Sequence, residues 1–116
     1  MYKRQHAGYA QNAYIRIHWI DSENITKENV AQIFRGIQGI IVPGGFGNRG
    51  IEGMITAAEY ARKNRIPYFG ICLGMQIAVI EYARNEAGLP EAHSGEFDEQ
   101  CRDKVIDFMP ASSPSK

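Results

Sequence analysis

The chain has 116 residues, room for one small domain with a single core and too few for two. Lys plus Arg and Asp plus Glu number 13 each, so the formal net charge is zero and no basic excess points to nucleic acid or an anionic membrane. Apolar runs fall far short of a bilayer span, no signal peptide is visible, and two cysteines, Cys72 and Cys101, make no disulfide framework, so a reducing cytoplasm is the expected setting.

Residues 1–5 fit no periodic pattern and read as a non-native junction. From Ala13 to Ile20, Ile15, Ile17 and Trp19 alternate with Tyr14, Arg16 and His18, which predicts a first strand near residues 14–20. Asp21-Ser22-Glu23-Asn24 breaks it. Thr26 is a good N-cap, Ile25 and Val30 have hydrophobic-staple spacing, and Val30, Ile33 and Phe34 share a helical face that Gly36 ends.

Gly39-Ile40-Ile41-Val42, stopped by Pro43-Gly44-Gly45, reads as a buried strand. Ile51, Met54, Ile55, Ala58 and Ala61 recur with helical spacing, and Arg62, Lys63 and Arg65 suit the negative end of that helix. Ile66-Pro67-Tyr68-Phe69-Gly70-Ile71 is the third predicted strand. A helix from about Gly74 to Asn85 is apolar nearly all round, which predicts burial. Residues 91–104 read as polar loop, Val105–Met109 as a further strand, and residues 111–116 as a disordered tail. Strands alternating with helices predict an α/β fold, a parallel sheet with flanking helices, whose ligands sit at the carboxyl ends of the strands.

Two loops fall at those ends. Gly70-Ile71-Cys72-Leu73-Gly74 sets a glycine two before and two after a nucleophile, between a strand and a helix. This is the spacing of a nucleophile elbow. The turn is too tight for side chains at the glycines, the helix N-terminus favours the thiolate of Cys72, and the Leu73 N–H would face an oxyanion. A plain core cysteine is the competing reading. Gly45-Phe46-Gly47-Asn48-Arg49-Gly50 matches a dinucleotide-binding pattern, but no carboxylate stands at the end of the next strand to hold a ribose. The Lys-Ser/Thr pair of a phosphate loop is missing too. A glycine loop beside an elbow instead offers a second oxyanion N–H.

Together these loops resemble the class I glutamine amidotransferases, in the wording of the glutaminase domain of the CTP synthase family: Pro43-Gly44-Gly45-Phe46-Gly47 and Gly70-Ile71-Cys72-Leu73-Gly74-Met75-Gln76. Trp19–Glu23, Arg49–Met54 and Ala78–Asn85 are similar to that family as well, and the resemblance runs from about His6 to Pro110. It implies a flavodoxin-like fold, present as an incomplete domain over residues 6–110. It implies that Cys72 is the nucleophile, that Gly45 and Leu73 hold the oxyanion, and that Gly45, Leu73, Gly74, Met75, Gln76 and Glu96 bind L-glutamine. Gly95 stands where the family usually has Thr.

The same resemblance implies a ligase parent that makes CTP from UTP with ATP and ammonia released from glutamine, with a synthase domain binding ATP and Mg2+, in a homotetramer. No cofactor, metal, nucleic acid or membrane is expected for this segment. The family's catalytic His and Glu have no counterpart among His6, His18 and His93, so the segment is not expected to turn over glutamine alone. The alternatives are another cysteine-elbow amidotransferase or γ-glutamyl hydrolase, and a non-catalytic α/β interaction module.

Overall fold

A computed structural model describes residues 2–45 and 48–110, with side chains from His6 onward. In chain order the elements are α1 (Tyr2–Ala10), a 3-10 turn (Ser22–Asn24), α2 (Val30–Ile33), β1 (Ile40–Val42), α3 (Ile51–Lys63), β2 (Tyr68–Gly70), α4 (Leu73–Asn85), β3 (Ala92–Ser94) and β4 (Asp103–Ile106). β1 and β2 are parallel neighbours, with Ile40 opposite Tyr68, Ile41 opposite Phe69 and Val42 opposite Gly70. β1, α3 and β2 therefore form the predicted crossover unit. β3 and β4 make a second parallel pair, with a register shift between His93 and Ser94.

The core lies on one face of β1 and β2. Ile40 and Val42 pack with Ile25, Val30, Phe34, Ala57 and Ala61. Ile51, Ile55 and Ala58 of α3 meet Leu73, Ile77 and Ile80 of α4 in a second cluster, and Met54 and Tyr68 touch both. Ile77 and Ile80 are fully buried, worth roughly 2–3 kcal/mol each in apolar area removed from water. Thr26 caps its turn as expected: Thr26 N donates to Asn29 Oδ1 (2.7 Å) and Asn29 N to Thr26 Oγ1 (3.2 Å). The staple pair Ile25 and Val30 is buried in the first cluster, and Gly36 ends the helical segment at φ 77.

Three local expectations are corrected. Residues 14–20 form no strand; Tyr14 and Trp19 are exposed, because alternation gives a segment two faces but only a bonded neighbour makes it a strand. The exposed lead segment helps explain a radius of gyration of 16.4 Å, where a compact domain of this length would have about 13 Å. Residues 2–5, which fit no periodic pattern, begin α1. α4 is not buried all round: Met75, Val79 and Tyr82, spaced along one helical stripe, are exposed, since α3, the sheet and the β3–β4 pair cover only its other sides. Ile41 and Phe69, on the sheet face away from the core, are exposed too.

Finally, residues 91–104 are not all loop. They hold β3 and the start of β4, and the predicted last strand ends at Ile106, leaving Phe108 and Met109 exposed. Nothing in Ala92-His93-Ser94 alternates in hydrophobicity. The strand is held from outside, where Arg84 Nε donates to the Ala92 carbonyl (2.7 Å). The tail at residues 111–116 lies outside the described residues. Among the described residues no helix is long and apolar enough to cross a membrane.

A charged clasp locks α3 to α4. Glu81, almost fully buried, accepts from Arg62 Nε at 2.6 Å and from Asn85 Nδ2 at 3.1 Å. Arg62 Nη1 reaches Glu86 at 2.5 Å, and the guanidinium pKa is raised, chiefly by its hydrogen bond to Glu81. Removing one partner would strand a buried charge. Arg62→Met is therefore expected to lower unfolding free energy by about 3 kcal/mol, and Arg62→Met with Glu81→Leu to recover most of that loss. Urea denaturation of the two variants and the parent sequence measures both.

Candidate active site

The elbow between β2 and α4 is built from backbone pressed against backbone. Ile71 N continues the ladder by donating to the Val42 carbonyl (2.9 Å). A Cβ on Gly70 would run into the Gly74 and Met75 backbone, and one on Gly74 into the Val42 carbonyl. Both glycines are therefore required by close approach, as their spacing predicts. Cys72, caught between them, takes φ 56 and ψ −105 and is exposed. Positive φ at a residue other than glycine costs on the order of 1–3 kcal/mol and persists only where the surroundings enforce it.

The first turn of α4 then leaves one amide available. Gly74 N donates to the Ile71 carbonyl (3.0 Å), while Met75 N (3.1 Å) and Gln76 N (3.2 Å) both donate to the Cys72 carbonyl. Leu73 N has no acceptor among the described residues, as the free amide of a helix start should. Its side chain is buried in the second cluster, so the amide is fixed in place.

The glycine loop after β1 runs alongside. A Cβ built on Gly44 would lie 3.4 Å from Cys72 Cβ, and one on Gly45 would lie 3.6 Å from Leu73 Cδ2. Small residues let this backbone reach the elbow. Phe46 and Gly47 fall outside the described residues. Gly45, Cys72, Leu73 and Gly74 are thus brought together; Met75 is exposed and Gln76 half-buried within the next turn.

Glu96 is not joined to them by any described contact. It follows β3 with its side chain exposed and its N–H donating to Ser94 Oγ (3.2 Å). Gly95 beside it donates to the Ile106 carbonyl (2.7 Å), and a Cβ there would collide with the Asp107 carboxylate. The Asp107 side chain fills the space that a residue larger than glycine would need.

None of the three histidines has a described contact with Cys72. His6 lies beside Tyr9 on α1, and His18 is exposed. His93 Nδ1 accepts from Ser94 N (2.8 Å), and its Nε2 lies 3.9 Å from Glu52 Oε2. It borders a cleft of about 450 Å³ with Ser22, Asn48, Gly50, Glu52 and Phe97, at the start of α3. Periodicity gave no sign of this cleft, because its lining comes from three separate segments. Among the described residues no cluster of His, Cys, Asp and Glu could hold a metal. Tyr68, read from sequence only as a strand residue, donates its hydroxyl to the Gly74 carbonyl at 2.7 Å. No sequence signal marks this bond, because a tyrosine in a strand does not reveal where its hydroxyl will reach.

The family model for class-I glutamine amidotransferases matches residues 2–111. A CTP synthase from Listeria innocua serovar 6a is 58% identical over 106 residues, 91% of this chain, and one from Oleidesulfovibrio alaskensis is 60% identical over 104 residues, 90% of this chain. The chain spans about a fifth of their length, 20% and 19% respectively. The solved glutaminase domain of Trypanosoma brucei CTPS with bound acivicin superposes with a TM-score of 0.86 at 42% identity, covering 90% of this chain and 41% of that one. The parallel β1–β2 pair with flanking helices is accordingly part of the same fold. Matched over nearly all its residues, the chain belongs to the class-I glutamine amidotransferase family.

Proposed function

We propose that this chain is part of the glutaminase domain of a CTP synthase, with Cys72 as its nucleophile. The observation that carries the reading is an exposed cysteine held at positive φ between strand and helix, with a glycine loop against it. The wording of that elbow and the similarity to CTP synthases support the parent reaction.

In this reading the Cys72 thiolate attacks the side-chain amide carbon of L-glutamine. The carbonyl π electrons move onto oxygen, and the N–H groups of Leu73 and Gly45 stabilise the oxyanion. The C–N bond breaks as the amide nitrogen takes a proton, so ammonia leaves and a γ-glutamyl thioester remains. Water then adds to the thioester, releasing glutamate and restoring the thiol. Gly45, Leu73, Gly74, Met75 and Gln76 line the glutamine pocket, and Glu96 receives the substrate ammonium group. The proton transfers need a His and Glu pair from the rest of the parent. The 116-residue chain does not turn over glutamine by itself.

The parent then joins ammonia to UTP at the expense of ATP, in a synthase domain that also holds Mg2+; no residue of this chain is assigned to those ligands. A cytoplasmic homotetramer belongs to the same proposal. Residues 6–110 are the amidotransferase part in this reading.

Two measurements test it. In the full-length parent, Cys72→Ala should lower glutamine-dependent CTP formation by more than about a thousandfold and leave synthesis from ammonium chloride intact. A retained glutamine-dependent rate would remove Cys72 from the role. In the 116-residue chain, acivicin should label Cys72 faster than Cys101, as read by peptide mass, while no ammonia is released from glutamine. Equal labelling of the two cysteines would count against an activated elbow.

A further inference from the structure

Tyr68 lies on β2 in register with Ile40, and its ring packs against both apolar clusters. Its hydroxyl crosses to α4 and donates to the Gly74 carbonyl at 2.7 Å. That carbonyl and the Met75 N–H belong to one planar peptide unit, and the Met75 N–H donates to the Cys72 carbonyl at 3.1 Å. A continuous line of hydrogen bonds therefore runs from the tyrosine hydroxyl, through one peptide plane, to the backbone of the cysteine. Each bond in such a line polarises the next.

We propose that Tyr68 is a positioning residue for Cys72: by gripping the 74–75 peptide plane it fixes the Cys72 carbonyl, and with it the left-handed backbone that presents the thiol. This rests on the reading of Cys72 as nucleophile. The close contacts of Gly70 and Gly74 exclude side chains from the elbow, but they do not fix the tilt of the peptide plane behind it. The hydroxyl does. It is a dependable donor, because burial, with a smaller push from Glu81, raises its pKa to about 12. Phenylalanine would fill the same space and lose only the grip.

The test is Tyr68→Phe in the 116-residue chain, with iodoacetamide labelling of Cys72 and Cys101 followed by peptide mass. Cys72 labelling is expected to slow about three- to tenfold, the worth of roughly one hydrogen bond, with Cys101 unchanged. The Met75 amide resonance should shift upfield in the variant. Tyr60→Phe, at a half-buried core tyrosine, should alter neither reading. Unchanged Cys72 labelling in Tyr68→Phe overturns the proposal. Faster labelling of both cysteines also overturns it, since that is the mark of a residue that only stabilises the fold. A measurement on the unaltered chain stands apart from any folding defect: the Met75 amide should exchange with solvent far more slowly than an open coil, and coil-like exchange would sink the idea. None of these readings requires glutamine turnover, so they fail or hold separately from the Cys72→Ala assay.

Discussion

The first turn of α4 lies directly on the ends of β1 and β2, with no side chain between them. Gly70 touches the Gly74 backbone, and Gly74 touches the Val42 carbonyl. That approach leaves Cys72 too little room to pass from strand to helix through ordinary backbone angles. It turns at φ 56 instead, and the turn is what exposes its side chain. The same approach carries the Leu73 amide to the open end of the helix, where an anion is favoured by the helix dipole. The exposed thiol and the open amide thus arise from one steric constraint.

A strained elbow keeps its shape only if its frame cannot relax, and the frame is fixed on several sides. Ile77 and Ile80 seat α4 on α3 through apolar contact, and the Arg62–Glu81 pair clasps the two helices. Arg84 ties α4 to the Ala92 carbonyl and, through Glu52 at 2.9 Å, to the start of α3. Gly53 lets the Ser22–Asn24 turn sit against α3, since any Cβ there would strike the Ser22 carbonyl. Arg49 pairs with Glu23 across the same junction, a pair too exposed to add much. Buried contacts, not surface charges, hold the loops that matter.

The division of chemistry follows from what these contacts assemble. In the proposed reaction the elbow and glycine loop supply attack and oxyanion stabilisation, which need only backbone amides and a thiol. Proton transfer needs a titratable group beside the sulfur. His93, the histidine nearest the core, is engaged with Ser94 and faces Glu52. The exposed stripe of Met75, Val79 and Tyr82 and the bare sheet face at Ile41 and Phe69 lie on sides of the elbow that no described element covers.

What the sequence determined by itself was local and steric. Gly-x-Cys-x-Gly after an aliphatic run requires a strand, a turn without side chains and a helix, whatever surrounds them. The periodicity of Ile51 to Ala61 likewise required a helix with one apolar face, and Thr26 required a cap. Tertiary structure decided the matters that depend on a partner. Residues 14–20 alternate like a strand but join no sheet among the described residues, because a ladder needs a neighbouring row of N–H and C=O groups that no sequence pattern supplies. Ala92-His93-Ser94 shows no pattern yet is a strand, because β4 and Arg84 bind its backbone. Tyr68 reads as one more strand residue until the fold sets its hydroxyl 2.7 Å from the Gly74 carbonyl. Steric demands act between chain neighbours and are written in the sequence, whereas hydrogen-bond partners meet only when the chain has folded.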